Sequence, residues 1–151
     1  LGYQWYGARA LMSLRLEKSW GAWGLDYRPD FNVVESGLDG FVNWKKEFVG
    51  KSAAAEQKAS GARRKLVSLV VDVDGIDVSN DEAILKNGRA IGYVSSGGYA
   101  HHAQKSMAMG YVEIAHSAPG NQLDIEILGE IYQAEVLGAP IYDPNGGKMR
   151  S

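Results

Sequence analysis

The sequence contains no cysteine, which excludes disulfide bonds, thiolate nucleophiles and cysteine metal ligands. Histidine occurs only at positions 101, 102 and 116, and the adjacent His101 and His102 would point to opposite faces of an extended chain. Because no H-E-x-x-H or similar ligand spacing occurs, we predict no metal site. No apolar run approaches the roughly 18 residues of a membrane-spanning helix, and the net charge of −2 gives no general attraction to nucleic acid. We therefore expect a soluble protein with neither a membrane nor a nucleic-acid partner.

The sequence also lacks the short motifs of common catalytic and nucleotide sites. The segment SSGGYAHHAQKS at residues 95–106 has the composition of a phosphate-binding loop, but Tyr99 and Gln104 occupy the two positions where that loop needs glycine. Neither the dinucleotide fingerprint G-x-G-x-x-G nor the nucleophile motif G-x-S-x-G occurs in the chain. We therefore predict no catalytic residue here, and we interpret residues 95–106 as a glycine-rich turn that leads into a strand.

The chain has 151 residues of which 45% are apolar, enough for one well-filled core. Its first part is rich in Ala, Leu, Met and Arg, so we predict a helix over Ala8 to Lys18 in which Leu11 and Leu14, with Ala10 and Met12, form one apolar side.

An irregular connector is predicted to follow over residues 19–50, because glycines interrupt a run of aromatic residues there. The aromatic residues of this connector are Trp20, Trp23, Tyr27, Phe31, Phe41, Trp44 and Phe48. A short helix from Ser52 to Lys58, with Ser52 as its cap, is expected to end the connector.

After Gly61 the pattern changes to that of short strands. The strand candidates are residues 66–73, the two runs on either side of the Asn87-Gly88 turn within 83–94, and residues 106–114, 122–128 and 131–137. Leu123, Ile125 and Ile127 alternate with polar residues, so we expect them to point into a core. Since no helices separate these strands, residues 62–142 are predicted to form an antiparallel β-barrel or jelly-roll-like lobe. The predicted division is residues 1–60, a helix and connector, and residues 61–151, the barrel; the fold is mainly β, and α+β overall.

Five blocks of the sequence, in this order and at these separations, resemble one protein family. The blocks are SLRLEKSWGAWGLDY, VVESGLDGFVNW, EFVGKSAA, LKNGRAIGYVSSGGYAHHAQKSMAMGYV and GAPIYDPNGGKMR. Together they resemble the C-terminal region of the glycine-cleavage T-protein (aminomethyltransferase) superfamily, and most of all the folate-binding part of dimethylglycine and sarcosine dehydrogenases. Five blocks in register are more specific than any single short motif.

The resemblance implies that this chain is the end of a longer polypeptide. In that family an N-terminal part with FAD oxidises an N-methyl amine, and tetrahydrofolate bound among three lobes accepts the one-carbon unit. Residues 1–60 would then be the end of the preceding folate-binding lobe, and 61–151 the closing barrel. The carboxylate that assists the chemistry would lie upstream of Leu1, so we expect FAD only in the missing part and no activity in this chain alone.

The resemblance also implies site residues on the folate side: Trp20, Trp23 and Arg15. Either tryptophan could stack on a planar ring or simply pack the connector against the barrel, and Trp20 is the better ligand candidate. Arg15 could meet a carboxylate from another lobe or be a solvated helix residue. T-proteins carry an arginine at the position of Leu11, whereas the dehydrogenase relatives resemble this sequence in lacking it.

Three further residues have structural interpretations. Glu17 and Lys18 do not share a helix face and are expected to be cap, dipole or surface groups. Glu35 is expected to accept hydrogen bonds from connector N–H groups and hold that segment in place.

Two classes of function remain open at this point. The first is the tetrahydrofolate-binding portion of a flavin-dependent dehydrogenase of methylated amines, with a glycine-cleavage-type aminomethyltransferase as its variant. The second is a non-catalytic barrel that serves as a binding or interaction module. The expected location is the cytoplasm of a bacterium or the mitochondrial matrix of a eukaryote.

Overall fold

The computed structural model describes residues 2 and 4–150, and a six-stranded sheet dominates it. Two α-helices precede the sheet, α1 (Ala8–Glu17) and α2 (Lys51–Ser60), with a 3₁₀ turn at Asp39–Phe41 between them. The strands are β1 (Arg64–Val71), β2 (Ala83–Lys86), β3 (Arg89–Ala100), β4 (Lys105–Glu113), β5 (Gln122–Ile127) and β6 (Glu130–Val136), with a second 3₁₀ turn at Ile114–His116.

The six strands form a closed barrel in the order β1-β4-β3-β2-β5-β6, and every neighbouring pair is antiparallel. Closure is made by β6 against β1, where Leu69, Val70 and Val71 pair with residues 134–136. A closed barrel has no free edge strand on which a second chain could add. The predicted antiparallel barrel after Gly61 is confirmed.

Two hairpin turns set the register of the longest strands. Asn87 and Gly88 both have positive φ, 52° and 75°, which is the conformation that joins β2 to β3 in two residues. Residues 101–104 turn β3 into β4, so the segment SSGGYAHHAQKS is the end of one strand, a turn and the start of the next. The segment is therefore a structural hairpin, but the prediction of a glycine-rich turn is wrong in detail, because Gly97 and Gly98 lie within β3 and the turn contains no glycine.

The barrel interior is filled with aliphatic side chains. Leu123, Ile125 and Ile127 on β5 are each at most 1% exposed, while Gln122 and Glu126 are exposed and Asp124 is half-buried. This alternation is the period-2 pattern of a half-buried strand. The prediction that the three aliphatic residues point into the core is confirmed.

Helix α1 packs against β3 and β4, but not through the leucines that make its sequence look amphipathic. Leu11 and Leu14 are 50% and 51% exposed, whereas Arg15, Leu16 and Glu17 are buried. The reason is that this face of α1 meets polar groups of the connector and the β3–β4 turn, with Leu16 as its one large apolar contact. The apolar spacing therefore does not mark the packed side.

Helix α2 begins one residue earlier than expected and is capped differently. Its N-cap is Gly50, in the left-handed conformation with φ of 86°, and no side chain caps the first turn. Ser52 lies inside the first turn, so the predicted serine cap is wrong. A glycine was the favoured residue because a left-handed backbone costs side-chain-bearing residues about 1 kcal/mol or more.

Candidate functional site

The end of α1 fixes the backbone of Trp20. The Trp20 N–H donates to Arg15 O at 2.9 Å, and the Ser19 N–H donates to Leu16 O at 2.9 Å. With Ser19 at φ of 53°, these are the two hydrogen bonds of a Schellman C-cap, in which the left-handed residue is usually glycine. The chain thus turns sharply at Ser19 and presents Trp20 directly after the helix.

The buried side chain of Arg15 holds the loop of residues 19–26 through two contacts. Its Nη1 lies 2.6 Å from Asp26 Oδ2, with the two side chains 7% and 0% exposed, and Nη1 also donates to Trp20 O at 3.2 Å. The carboxylate partner of Arg15 therefore comes from the connector of the same chain. The interpretation of Arg15 as a solvated arginine is wrong, because the loop folds back and buries the guanidinium. A contact with a carboxylate of another lobe stays a prediction.

Asp26 is the centre of a buried polar network that ties the connector to the barrel wall. Its carboxylate accepts hydrogen bonds from the hydroxyls of Ser95 and Ser96 on β3 and from the Ala22 N–H. Its backbone oxygen accepts from the Tyr111 hydroxyl at 2.8 Å. Every acceptor of this charged, fully buried residue is used, as burial of a carboxylate requires.

Tyr111 completes the network on β4. Its hydroxyl also lies 2.9 Å from Ser36 Oγ, and the Phe31 ring stacks on the Tyr111 ring at 3.4 Å between centroids. Burial raises the pKa of Tyr111 to about 12; the hydrogen bond with Ser36 opposes the rise and the nearby Asp26 charge adds to it. Tyr111 is thus a neutral hydrogen-bonding anchor between barrel and connector.

A cleft of about 440 Å³ lies beside Trp20. Its walls are residues 18–20 after α1, residues 65–68 of β1 and residues 137–140 after β6. Trp20 is 53% exposed, so part of its ring is free to meet a ligand. The lining contains two lysines, Lys18 and Lys65, and no carboxylate. Lys18 is paired with Asp143, so Lys65 is the cation that the cleft can offer to a ligand. An aromatic face with one such cation nearby suits a planar molecule that carries negative charge.

The three predicted folate-side residues occupy different places. Trp20 lines the cleft, while Arg15 lies buried behind the loop and supports Trp20. Trp23 is 88% exposed and is not part of the cleft lining. The structure therefore brings Arg15 and Trp20 together and leaves Trp23 apart. Direct contact of any of them with folate stays a prediction.

Glu17 is an anchor that the sequence did not reveal. It is 1% exposed, and its Oε1 accepts hydrogen bonds from the N–H groups of His102 and Ala103 in the β3–β4 turn. The expectation of a cap or surface role is wrong for Glu17, because the turn folds over the helix end. Glu35 accepts a hydrogen bond from the Asn32 N–H at 3.2 Å, which confirms its predicted role in holding the connector.

Lys18 is also engaged. Its Nζ donates to Asp143 O at 2.6 Å and lies 3.5 Å from Asp143 Oδ2. Burial raises the pKa of the Asp143 carboxyl, but the Lys148 N–H and the Lys18 ammonium outweigh burial, so the pKa lies below its ordinary value. Asp143 is therefore an anion at neutral pH and a partner for Lys18.

Two negative observations apply to residues 2 and 4–150. Within that part of the chain, no group of three or more His, Cys, Asp or Glu side chains could hold a metal ion. None of the helices described there combines the length and the apolar character needed to cross a membrane.

Residues 64–143 match the family described as the glycine cleavage T-protein C-terminal barrel domain. The matched range starts at β1 and extends beyond β6 to Asp143, so it contains the whole barrel. The chain belongs to this family. The T-protein barrel is thus identified both by its sequence and by the closed antiparallel sheet.

Known relatives extend the likeness beyond the barrel. Mitochondrial dimethylglycine dehydrogenase of Homo sapiens is 40% identical over 138 residues, which are 90% of this chain and 16% of that protein. An aminomethyltransferase of Picosynechococcus is 34% identical over 138 residues, 90% of this chain and 38% of that protein. Mitochondrial sarcosine dehydrogenase of Mus musculus is 30% identical over 153 residues, 95% of this chain and 16% of that protein.

A solved structure has the same fold. The glycine cleavage system aminomethyltransferase T from Bartonella henselae superposes with a TM-score of 0.87 at 29% identity, over 93% of this chain and 40% of that one. The helix and connector are thus part of the shared fold. This T-protein barrel chain spans well under half the length of each of these proteins.

Proposed function

We propose that this chain is the tetrahydrofolate-binding, aminomethyltransferase-like portion of a flavin-dependent dehydrogenase of the dimethylglycine or sarcosine type. The support for the dehydrogenase branch is the 40% identity to dimethylglycine dehydrogenase, against 34% to the aminomethyltransferase over an equal length. Leu11, in the position where T-proteins carry arginine, points the same way. The proposed location is the mitochondrial matrix in a eukaryote or the cytoplasm in a bacterium.

The observation that carries the folate proposal is the half-exposed Trp20 ring in a cleft that is also lined by Lys65, a lysine with no ion pair among the described residues. Tetrahydrofolate has a planar pterin, an aromatic ring and a tail of carboxylates, so it offers both a surface to stack on Trp20 and negative charge. In this proposal the chain binds and orients folate. The FAD and the groups that act on the methylated amine belong to the rest of the longer polypeptide.

The proposal divides the roles of three residues. Trp20 would contact folate, Arg15 would hold Trp20 through its backbone oxygen, and Asp26 would keep Arg15 in place. Because the proposal places the FAD and the groups that act on the amine in the rest of the longer polypeptide, the purified chain should show no flavin absorbance and no amine-dependent reduction of an electron acceptor. Turnover that tracks the concentration of this chain alone would contradict the proposal.

The direct test is a titration of tetrahydrofolate against the full-length polypeptide that carries this chain. Loss of a stacked aromatic costs on the order of 1 kcal/mol, so Trp20→Ala should raise the Kd about fivefold or more while the unfolding midpoint changes little. Leu128→Ala is the control, because Leu128 in the β5–β6 turn is 85% exposed and lies outside both the cleft lining and the first sixty residues. If Trp20→Ala leaves the folate Kd unchanged but lowers the unfolding midpoint strongly, Trp20 packs the connector and does not bind folate.

A glycine-cleavage-type aminomethyltransferase is the second candidate, and the superposition on the Bartonella henselae protein favours it. The two candidates differ in what precedes the barrel. A G-x-G-x-x-G motif after a strand in the preceding sequence supports the dehydrogenase, because FAD needs such a site. The dehydrogenase form should also reduce an electron acceptor with dimethylglycine or sarcosine, which an aminomethyltransferase does not.

A further inference from the structure

The segment after β6, residues 137–148, runs back across the barrel to the end of α1, and we name it the C-terminal strap. Its first residue, Leu137, donates its N–H to Ser68 O at 2.8 Å. In the described part of the chain the next backbone tie to the rest of the protein is the Tyr142 N–H, which donates to Glu17 O at 3.0 Å. Residues 137–140, between these ties, form one wall of the Trp20 cleft.

The opposite wall is rigid. Trp20 is fixed by the helix C-cap, and Glu17 accepts two N–H groups of the β3–β4 turn with its buried carboxylate. The two walls are therefore unequal, since the α1 side is anchored to the barrel through many hydrogen bonds and the strap side through few. Of the two, the strap is the wall that can move at lower cost.

Lys18 connects the two walls. Its side chain lines the cleft, and its ammonium reaches across to Asp143 of the strap, with the two side chains 11% and 8% exposed. The Lys148 N–H also donates to Asp143 Oδ1 at 3.3 Å, and the Tyr142 ring lies under Lys148 Nζ and beside His102. Because both side chains are little exposed, salt screens the Lys18–Asp143 pair less than it screens a surface ion pair.

We propose that Lys18 is a positioning residue whose ion pair with Asp143 latches the C-terminal strap against α1 and so sets the width of the Trp20 cleft. Breaking the pair leaves the strap wall tied mainly by the Tyr142 N–H and the ring contacts around it. A ligand that touches both walls binds the latched form better, so it favours closure by mass action. The ligand part rests on the proposed function, whereas the latch itself does not.

The test is amide hydrogen exchange of the ligand-free chain, read in the strap and in the β5–β6 hairpin. Lys18→Met removes the ammonium that bonds Asp143, so it should speed exchange in the strap roughly tenfold or more and leave residues 122–136 unchanged. Lys18→Arg should restore slow exchange, because it keeps the charge and the reach. Lys65→Met is the matched control, since Lys65 lines the same cleft and makes no ion pair among the described residues.

Two results would overturn the latch. The first is strap exchange in Lys18→Met equal to that of the wild type, and the second is an equal acceleration of the hairpin, which would mean a general loss of stability.

In a second arm tetrahydrofolate is added to the full-length protein, where it should slow strap exchange in the wild type more than in Lys18→Met. If strap exchange is fast in ligand-free Lys18→Met but folate changes strap exchange in neither protein, the latch is supported. That result would contradict only the proposed folate-binding function.

Discussion

Replacement of Asp26 tests whether the buried network holds the connector on the barrel. Asp26 is 0% exposed and pairs with Arg15, which is 7% exposed. In Asp26→Ala the Arg15 guanidinium loses its counter-charge, and its Nε and Nη2 atoms already lack hydrogen-bond partners. The Ser96 hydroxyl loses its acceptor at the same time, whereas the Ser95 hydroxyl can still donate to Met109 O at 3.1 Å. The variant therefore leaves one buried charge and one buried hydroxyl without the partner that offsets their desolvation.

Removal of one partner from a buried ion pair costs about 3–5 kcal/mol, and we expect Asp26→Ala to fall in that range. Asp26→Asn keeps the shape and one acceptor oxygen but no negative charge, so it should also destabilise the protein. Pairing Asp26→Asn with Arg15→Met removes the orphaned cation, and the double variant should recover about 1–3 kcal/mol relative to the sum of the single changes.

The assay is urea unfolding of each variant, with the free energy of unfolding extrapolated to water. Asp30→Ala serves as the control, because the Arg28–Asp30 pair is exposed and should contribute at most about 1 kcal/mol. If Asp26→Ala stays within 1 kcal/mol of the wild type, or if the double variant shows no coupling, the network is not what secures the connector. In that case the proposed support of Trp20 by Arg15 fails with it.

Three further predictions concern the core, the helix end and a buried phenol. Ile125→Ala should lower the free energy of unfolding by about 2–5 kcal/mol, because Ile125 is fully buried, and an exposed Ile131→Ala should cost far less. Ser19→Gly should raise stability by about 0.5–1 kcal/mol in thermal melts, since it relieves a left-handed backbone and removes a buried unpaired hydroxyl; a loss of stability would contradict the C-cap assignment. Because the folded-state pKa of Tyr111 is raised, its contribution to stability should be full below pH 10.0 and disappear as the pH rises through about 12. Phenolate absorbance against pH should show a late-titrating tyrosine that is missing in Tyr111→Phe.

The barrel could be predicted from the sequence because its signals are local. The alternation of Leu123, Ile125 and Ile127 reports one buried face, and Asn87-Gly88 tolerates the positive φ that a two-residue hairpin needs. Each signal lies within a few residues, so no knowledge of distant contacts is required. The closure of the sheet between β1 and β6 has no such local signal, because it pairs residues more than sixty positions apart. Only the number and spacing of the strands indicated a barrel.

The site could be predicted only in part, because charged residues reveal their burial only through distant partners. Glu17 bonds to N–H groups 85 and 86 positions away, and the pattern around it looks like an exposed helix end. Asp26 had no motif at all, although the adjacent serines that bind it stand in SSGG. Trp20 was predicted from the family resemblance alone. The helix C-cap that fixes Trp20 could not be predicted from the sequence, because its left-handed residue is Ser19 and not the usual glycine.

The outward face of the first sixty residues bears on the choice between a lobe of a larger enzyme and a stand-alone module. Leu11 and Leu14 expose about half of their surface on α1, and Trp23, Phe41 and Val49 of the connector are almost fully exposed. Soluble proteins that work alone seldom leave so many large apolar side chains uncovered, because each costs free energy in water and promotes association. The Bartonella henselae protein contains the same fold in 40% of its chain, so most of that chain is available to lie beside the equivalent surface. Burial of these side chains against a preceding lobe would explain why α1 places its charged residues inward and its leucines outward. The exposed apolar face therefore favours a part of a larger protein over an independent barrel module.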